Sequence, residues 1–180
     1  MTEPLDVLAI MAHPDDAELL CGGSLAKSSS EGQRVGVLDL TRGEKGSSGS
    51  REIRAKEASN ASAILGLSVR QNAGLPDASL INDSQAKHTV VELIRELRPQ
   101  AVVTHSLEAR HPDHRNATQL VYDACFLAGI KKYSAQGKIH RPETVIHSLL
   151  FREELQRPTF ILDITEHIDT KLKSIESFES

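Results

Sequence analysis

A single parallel α/β domain is the fold expected from this sequence, for three reasons. Apolar runs of strand length recur along the chain, stretches with helical apolar spacing follow most of them, and Gly, Pro and Ser clusters separate the two kinds of segment. With 180 residues the chain suits one domain with a substantial core. An apolar content of 39% with 26% charged residues belongs to a globular protein and excludes a disordered, collagen-like or membrane-embedded one.

Leu5 to Ala12 is an almost unbroken apolar run, the pattern of a strand buried on both faces of a parallel sheet. Residues 17–30 follow as a helix with Leu19, Leu20 and Leu25 toward the core, and Glu31-Gly32 ends it. The second strand is expected at Arg34 to Thr41. A Gly/Ser-rich loop from Arg42 to Ser50 opens onto a helix with apolar positions Ile53, Ala58, Ala61, Ile64 and Leu65, and Ser50 is its N-cap. Leu67 to Asn72 reads as a third strand, Asn82 to Leu97 as a helix stopped by Pro99, and Ala101 to Thr104 as a fourth strand. A helix from Arg115 to Ala128 comes next. Past residue 140 the alternation loosens, with strands expected at Val145 to Phe151 and Thr159 to Asp163 and a final helix from Thr165 to Phe178.

The formal net charge of -4 argues against nucleic acid as a partner, as does the one concentrated basic stretch, Lys131-Lys132 with Lys138, which has no interleaved aromatic residues. The Leu5–Met11 run is too short to span a bilayer and has no basic leader, so no membrane association and a cytoplasmic location are expected. Cys21 and Cys125 lie in apolar helical stretches without the spacing of a zinc site or a disulfide scaffold, which predicts buried, reduced thiols.

Ligands of such sheets bind beyond the carboxyl ends of the strands. Two polar clusters fall there: Ala12-His13-Pro14-Asp15-Asp16-Ala17-Glu18 after the first strand and Arg110-His111-Pro112-Asp113-His114 after the fourth. Two histidines and one aspartate make a facial set that leaves a zinc ion an open position, as hydrolysis requires. Of the adjacent carboxylates Asp15 and Asp16, one can bind metal while the other faces the reacting water. In the second cluster one histidine can ligate while the other stands near the reacting carbonyl, and Asp113 can fix an imidazole tautomer. The bland alternative for each cluster alone is a helix N-cap or a polar loop; two such clusters at equivalent strand ends favour the metal site. His88, His140, His147 and His167 read as surface or structural, and His105 as packed in the core, hydrogen-bonded behind a ligand, or lining the cleft.

The AHPDD and HPDH motifs resemble those of the LmbE-like, or PIG-L-like, family of zinc N-deacetylases. Further likeness to the branch with the first type of bacillithiol-biosynthesis deacetylase lies in Asp39–Glu44, Glu52–Ala58, Leu75-Pro76-Asp77 and Phe126–Tyr133. The resemblance covers almost the whole chain. It implies a Rossmann-like, mostly parallel sheet flanked by helices, with His13, Asp16 and His114 holding zinc, Fe(II) being a chemically suitable substitute. Asp15 is then the general base that returns its proton to the leaving amine, His111 polarises the carbonyl, Asp113 orients His111, and Arg54 and Asp77 bind sugar hydroxyls or an acidic group. A guanidinium fork at the start of a helix also suits Arg54 to bidentate carboxylate binding, with pairing to Glu57 or Glu31 as the alternative.

The resemblance further implies a homo-oligomer acting on a small N-acetylated sugar, with N-acetylglucosaminyl malate as the expected substrate. It also implies that residues 1–180 form the whole domain short of the family's C-terminal portion, which covers part of the cleft. The rival readings are a related zinc amidase acting on thiol conjugates or chitobiose, and a noncatalytic metal-binding homologue. A nucleotide-binding domain is disfavoured because the first strand-helix turn is HPDDAELLCGG, with carboxylates where GxGxxG would present N–H groups to phosphate.

Overall fold

The computed structural model describes residues 3–46, 48, 50–149 and 157–180. Strands β1 (Val7–Met11), β2 (Val35–Thr41), β3 (Val69–Leu75), β4 (Ala101–Thr104) and β5 (Thr144–His147) form one sheet in the order β3-β2-β1-β4-β5. Every pairing is parallel, with Val7 opposite Val35 on one side and Ala101 on the other. Helices α1 (Asp16–Ser30), α2 (Arg51–Leu65), α3 (Ser84–Leu97) and α4 (Pro112–Ala128) connect the strands, and a short 3-10 turn at Thr165–His167 leads into α5 (Ile168–Ile175).

Alternation along β1 divides the core between the two faces of the sheet. Leu8, Ile10 and Ala12 join Val90, Val91 and Ile94 of α3 and Leu120 and Val121 of α4, whereas Ala9 and Met11 join Ala17, Cys21 and Leu25 of α1. The chain moves outward through β2 and β3 and then returns to place β4 beside β1 on its other side. That reversal leaves a crevice at the carboxyl ends of β1 and β4, with α1 on one face and α4 on the other.

Local chemistry explains most element ends. Ser50 caps α2 by accepting from Ile53 N, as expected, and Asp83 caps α3 by accepting from Ala86 N. Helix α4 begins at Pro112, not at Arg115: proline fits the first helical position, and His111 Nδ1 accepts the cap hydrogen bond from Asp113 N. The HPDH cluster therefore forms the first turn of α4 instead of a loop before it.

Other expectations differ from the structure. Leu19 is 45% exposed, because the buried side of α1 consists of Ala17, Cys21 and Leu25 together with Gly22, Gly23 and Ala26. Side-chain size misleads here; Ile164 packs so closely on Gly23 that a Cβ there would collide with it. In α2 the inward row is Arg54, Ala58, Ala61 and Leu65, and Ile53 and Ile64, one residue off that row, are exposed. Thr159–Asp163 is not a strand: no ladder partner pairs with it among the described residues, and Phe160, Ile161 and Leu162 are exposed. Of the strand expected at Val145–Phe151, Thr144–His147 is observed, and residues 150 and 151 lie outside the described residues.

Candidate metal centre

Both polar clusters meet in the crevice. Asp16 opens α1 and lies between two histidines, with Oδ2 3.2 Å from His13 Nδ1 and Oδ1 3.2 Å from His114 Nε2. Its Oδ2 also accepts from His13 N at 2.8 Å, which closes the turn between strand and helix. One donor atom from each of His13, Asp16 and His114 falls within 4.8 Å of the others, and His13, His111 and Asp113 form a second such group that shares His13.

Nitrogen and carboxylate donors bind zinc at about 2.0–2.2 Å, so donors around one ion lie roughly 3–3.5 Å apart. The 3.2 Å separations about Asp16 fit that requirement. The electrostatics favour a cation as well. Burial works against protonation of His13, but Asp16, Asp77 and Asp113 outweigh it and raise its pKa to about 9. Burial likewise opposes ionisation of Asp16, yet His114 and His13 hold its carboxyl well below the usual range. Burial, with His114 and His13 nearby, lowers His111, whose ring stands edge-on to His13 at 5.0 Å and is exposed to the cleft.

Asp15 takes the N-cap position of α1 but makes no side-chain cap hydrogen bond, and its φ of 117° is one that side-chain-bearing residues rarely adopt. The ordinary reason for an aspartate at a helix start is thus absent, and its carboxyl stays available to the cleft. Burial and the Asp16 charge push it up to about 7 against the pull of Arg54 and His13.

The remaining expected residues are also here, with altered partners. Arg54 is buried; its Nη1 donates to Pro14 O and lies 3.7 Å from Asp15 Oδ2, and its Nη2 donates to Ser180 O. Gly43 and Gly46 make room for it, since a Cβ on either would approach its side chain to within 3 Å. Neither Glu57 nor Glu31 pairs with it; the Glu57 carboxylate accepts instead from Glu179 N, Ser180 N and Ser180 Oγ. Asp113 donates its backbone N–H to His111 Nδ1, while its carboxylate lies 3.3 Å from His13 Nε2 and accepts from Leu80 N. Asp77 Oδ1 also lies 3.2 Å from His13 Nε2 and accepts from Ala78 N, and Lys45 N donates to its Oδ2.

Two features escape motif reading. His105, just past β4, is 1% exposed, accepts from Ala12 N and stacks on His114. Arg70 of β3 makes a two-pronged pair with Asp39 and a 2.6 Å bond to Glu18, which is fully buried in the first turn of α1. For His105 the available signal is its place at a strand's carboxyl end; for Arg70 there is none, since its partners are far away in sequence.

A conserved protein of Thermus thermophilus, solved as a crystal structure, is 39% identical with a TM-score of 0.92 over 96% of this chain and 78% of that one. A diacetylchitobiose deacetylase from Thermococcus kodakarensis is 27% identical over 97% of this chain and 69% of its own length. A 4-oxalmesaconate hydratase from Pseudomonas putida is also 27% identical, over 97% of this chain and 73% of its own. The chain spans from 52% to 78% of the length of such relatives. Residues 8–125 match the PIG-L model, described as GlcNAc-PI de-N-acetylase, a stretch that runs from the first strand through both histidine-aspartate clusters. The chain belongs to the PIG-L family of de-N-acetylases.

Proposed function

We propose that this chain carries the catalytic site of a zinc-dependent deacetylase that hydrolyses the acetamide of an N-acetylglucosaminyl conjugate, with N-acetylglucosaminyl malate as the substrate. The observation that carries the reading is Asp16 held between His13 and His114, next to a second carboxyl, Asp15, with the opposite proton affinity. His13, Asp16 and His114 would hold the ion. Zinc there would supply Lewis acidity that brings the pKa of water to about 7.

The protein's own groups do the rest. Asp15 takes a proton from the attacking water and returns it to the nitrogen as the C–N bond breaks, giving free amine and acetate; a pKa near 7 suits both transfers. His111, exposed at the cleft beside His13 and His114, donates to the carbonyl oxygen as charge develops on it. The family resemblance assigns Arg54 to the acidic end of the substrate, and a substrate acid there would take the place of Ser180 O on Nη2. Asp113 and Asp77 accept from His13 Nε2, which fixes the tautomer with its lone pair on Nδ1. The same reading makes the enzyme a cytoplasmic homo-oligomer, and size-exclusion chromatography with light scattering checks the oligomeric state.

The test is release of free amine from N-acetylglucosaminyl malate, diacetylchitobiose and a thiol conjugate, with zinc, Fe(II) or chelator. Asp15→Asn is expected to keep its metal and lose about a hundredfold or more in kcat; full turnover in that variant ends the base assignment. The Pseudomonas putida hydratase gives a second reading substance, since it too matches over 97% of the chain. Hydration of 4-oxalmesaconate without acetate release would establish it.

A further inference from the structure

We infer that His105 is a positioning residue for the metal centre, its ring tying the backbone that enters His13 to the ring of His114. The inference rests on the reading of His13, Asp16 and His114 as ligands. These ligands come from two segments far apart in sequence, one after β1 and one in the first turn of α4, so their relative placement depends on what joins the strand ends. His105 makes that connection. Its Nε2 accepts from Ala12 N at 2.8 Å and lies 3.5 Å from Asp16 Oδ2, and its ring lies 4.1 Å from that of His114, only 14° from parallel.

The hydrogen bond also defines the chemistry of the ring. An Nε2 that accepts from an amide must be unprotonated, so the neutral ring carries its proton on Nδ1. Its lone pair is committed to the backbone, which separates His105 from the ligands although it is packed among them. The residue is itself held: Thr118 Oγ1 and His147 Nδ1 donate to its carbonyl oxygen at 3.2 and 2.9 Å. It is 1% exposed, so its ring is enclosed by its neighbours. Groups that orient metal ligands are worth about ten- to a hundredfold in metal affinity.

Zinc affinity is measured by chelator competition, with Co(II) absorption as a report on ligand geometry. Wild-type protein is expected to bind one zinc that Asp16→Asn loses; no binding in the wild type would overturn the ligand reading and this inference with it. His105→Phe keeps a ring against His114 but cannot accept from Ala12 N. It is expected to raise the zinc Kd about tenfold or more and to alter the Co(II) spectrum. His105→Gln retains an acceptor without the ring and is expected to fall between. Val90→Ala, a remote core variant, should lower the melting temperature without moving the Kd. If His105→Phe lowers only the melting temperature and binds zinc like the wild type, the role is structural and the inference fails. Long-range proton–nitrogen NMR of the wild type supplies a measurement independent of variants. The Nδ1–H tautomer of His105 is expected with and without zinc, and a proton or zinc on Nε2 would overturn the assignment.

Discussion

Asp15 and Asp16 are adjacent in the chain yet opposite in proton affinity. Asp16 faces two imidazoles that stabilise its charge, whereas Asp15 is partly buried beside that charge and pushed up to about 7. In the proposed mechanism this separation gives one site both a metal ligand and a proton carrier. The cysteines show burial as the leading cause. Burial, reinforced by Glu18, pushes Cys21 up to about 12, and burial does the same to Cys125. A raised thiol pKa lowers the thiolate fraction, so the native protein at pH 8 should leave a thiol reagent such as DTNB essentially unreacted for as long as the urea-unfolded chain takes to titrate both thiols. Rapid reaction of either thiol in the folded protein would contradict the burial. Among single side chains, the donor set is legible in the two motifs. The partner of Asp113 is not, because which neighbour a carboxylate meets depends on where the first turn of α4 aims it.

Helix α1 has an unusual start. Its N-cap residue makes no capping hydrogen bond, so its first turn is held by Asp16 accepting from His13 N and by Glu18 bonded to Arg70. Arg70 also pairs with Asp39 and donates to Ala58 O, joining β3, β2, α1 and α2 through one guanidinium. Arg70→Met should cost about 3 kcal/mol or more, measured by urea denaturation, because it leaves buried carboxylates unpaired. Burial pushes Asp39 up to about 6, against Arg70 and with help from the Glu18 and Asp16 charges. The folded state thus holds a proton on Asp39 between about pH 4 and 6 that the unfolded chain releases, and this group contributes more stability as pH falls through that window. The cost of Arg70→Met should accordingly shrink from pH 8 to pH 5; an unchanged difference would show that Asp39 stays ionised throughout. Helix and strand positions are largely readable from periodicity. The outward Leu19 and the absent strand at 159–163 are not, because burial against small residues and ladder pairing are long-range outcomes.

Across the full chain, the decisive feature is the return from β3 to β4, which puts the ends of β1 and β4 side by side. An ion bound across that crevice links the two halves of the sheet in the folded state only. Zinc should therefore raise the melting temperature of the wild type, by an amount that grows with its concentration above Kd, and should do nothing for His13→Ala. Equal stabilisation of both proteins would remove His13 from the ligand set. The parallel α/β class, the succession of strands and helices, and the two histidine-aspartate clusters at strand ends follow from the amino-acid order alone, since they rest on local periodicity and on the chemistry of side chains. Three further features emerge only once the chain is folded: β1 lies beside β4, Asp77 and Asp113 lie against His13, and His105 and Arg70 bond to Ala12 N and to Glu18. Contacts between such distant segments are selected by packing of the entire chain, and no local pattern records them.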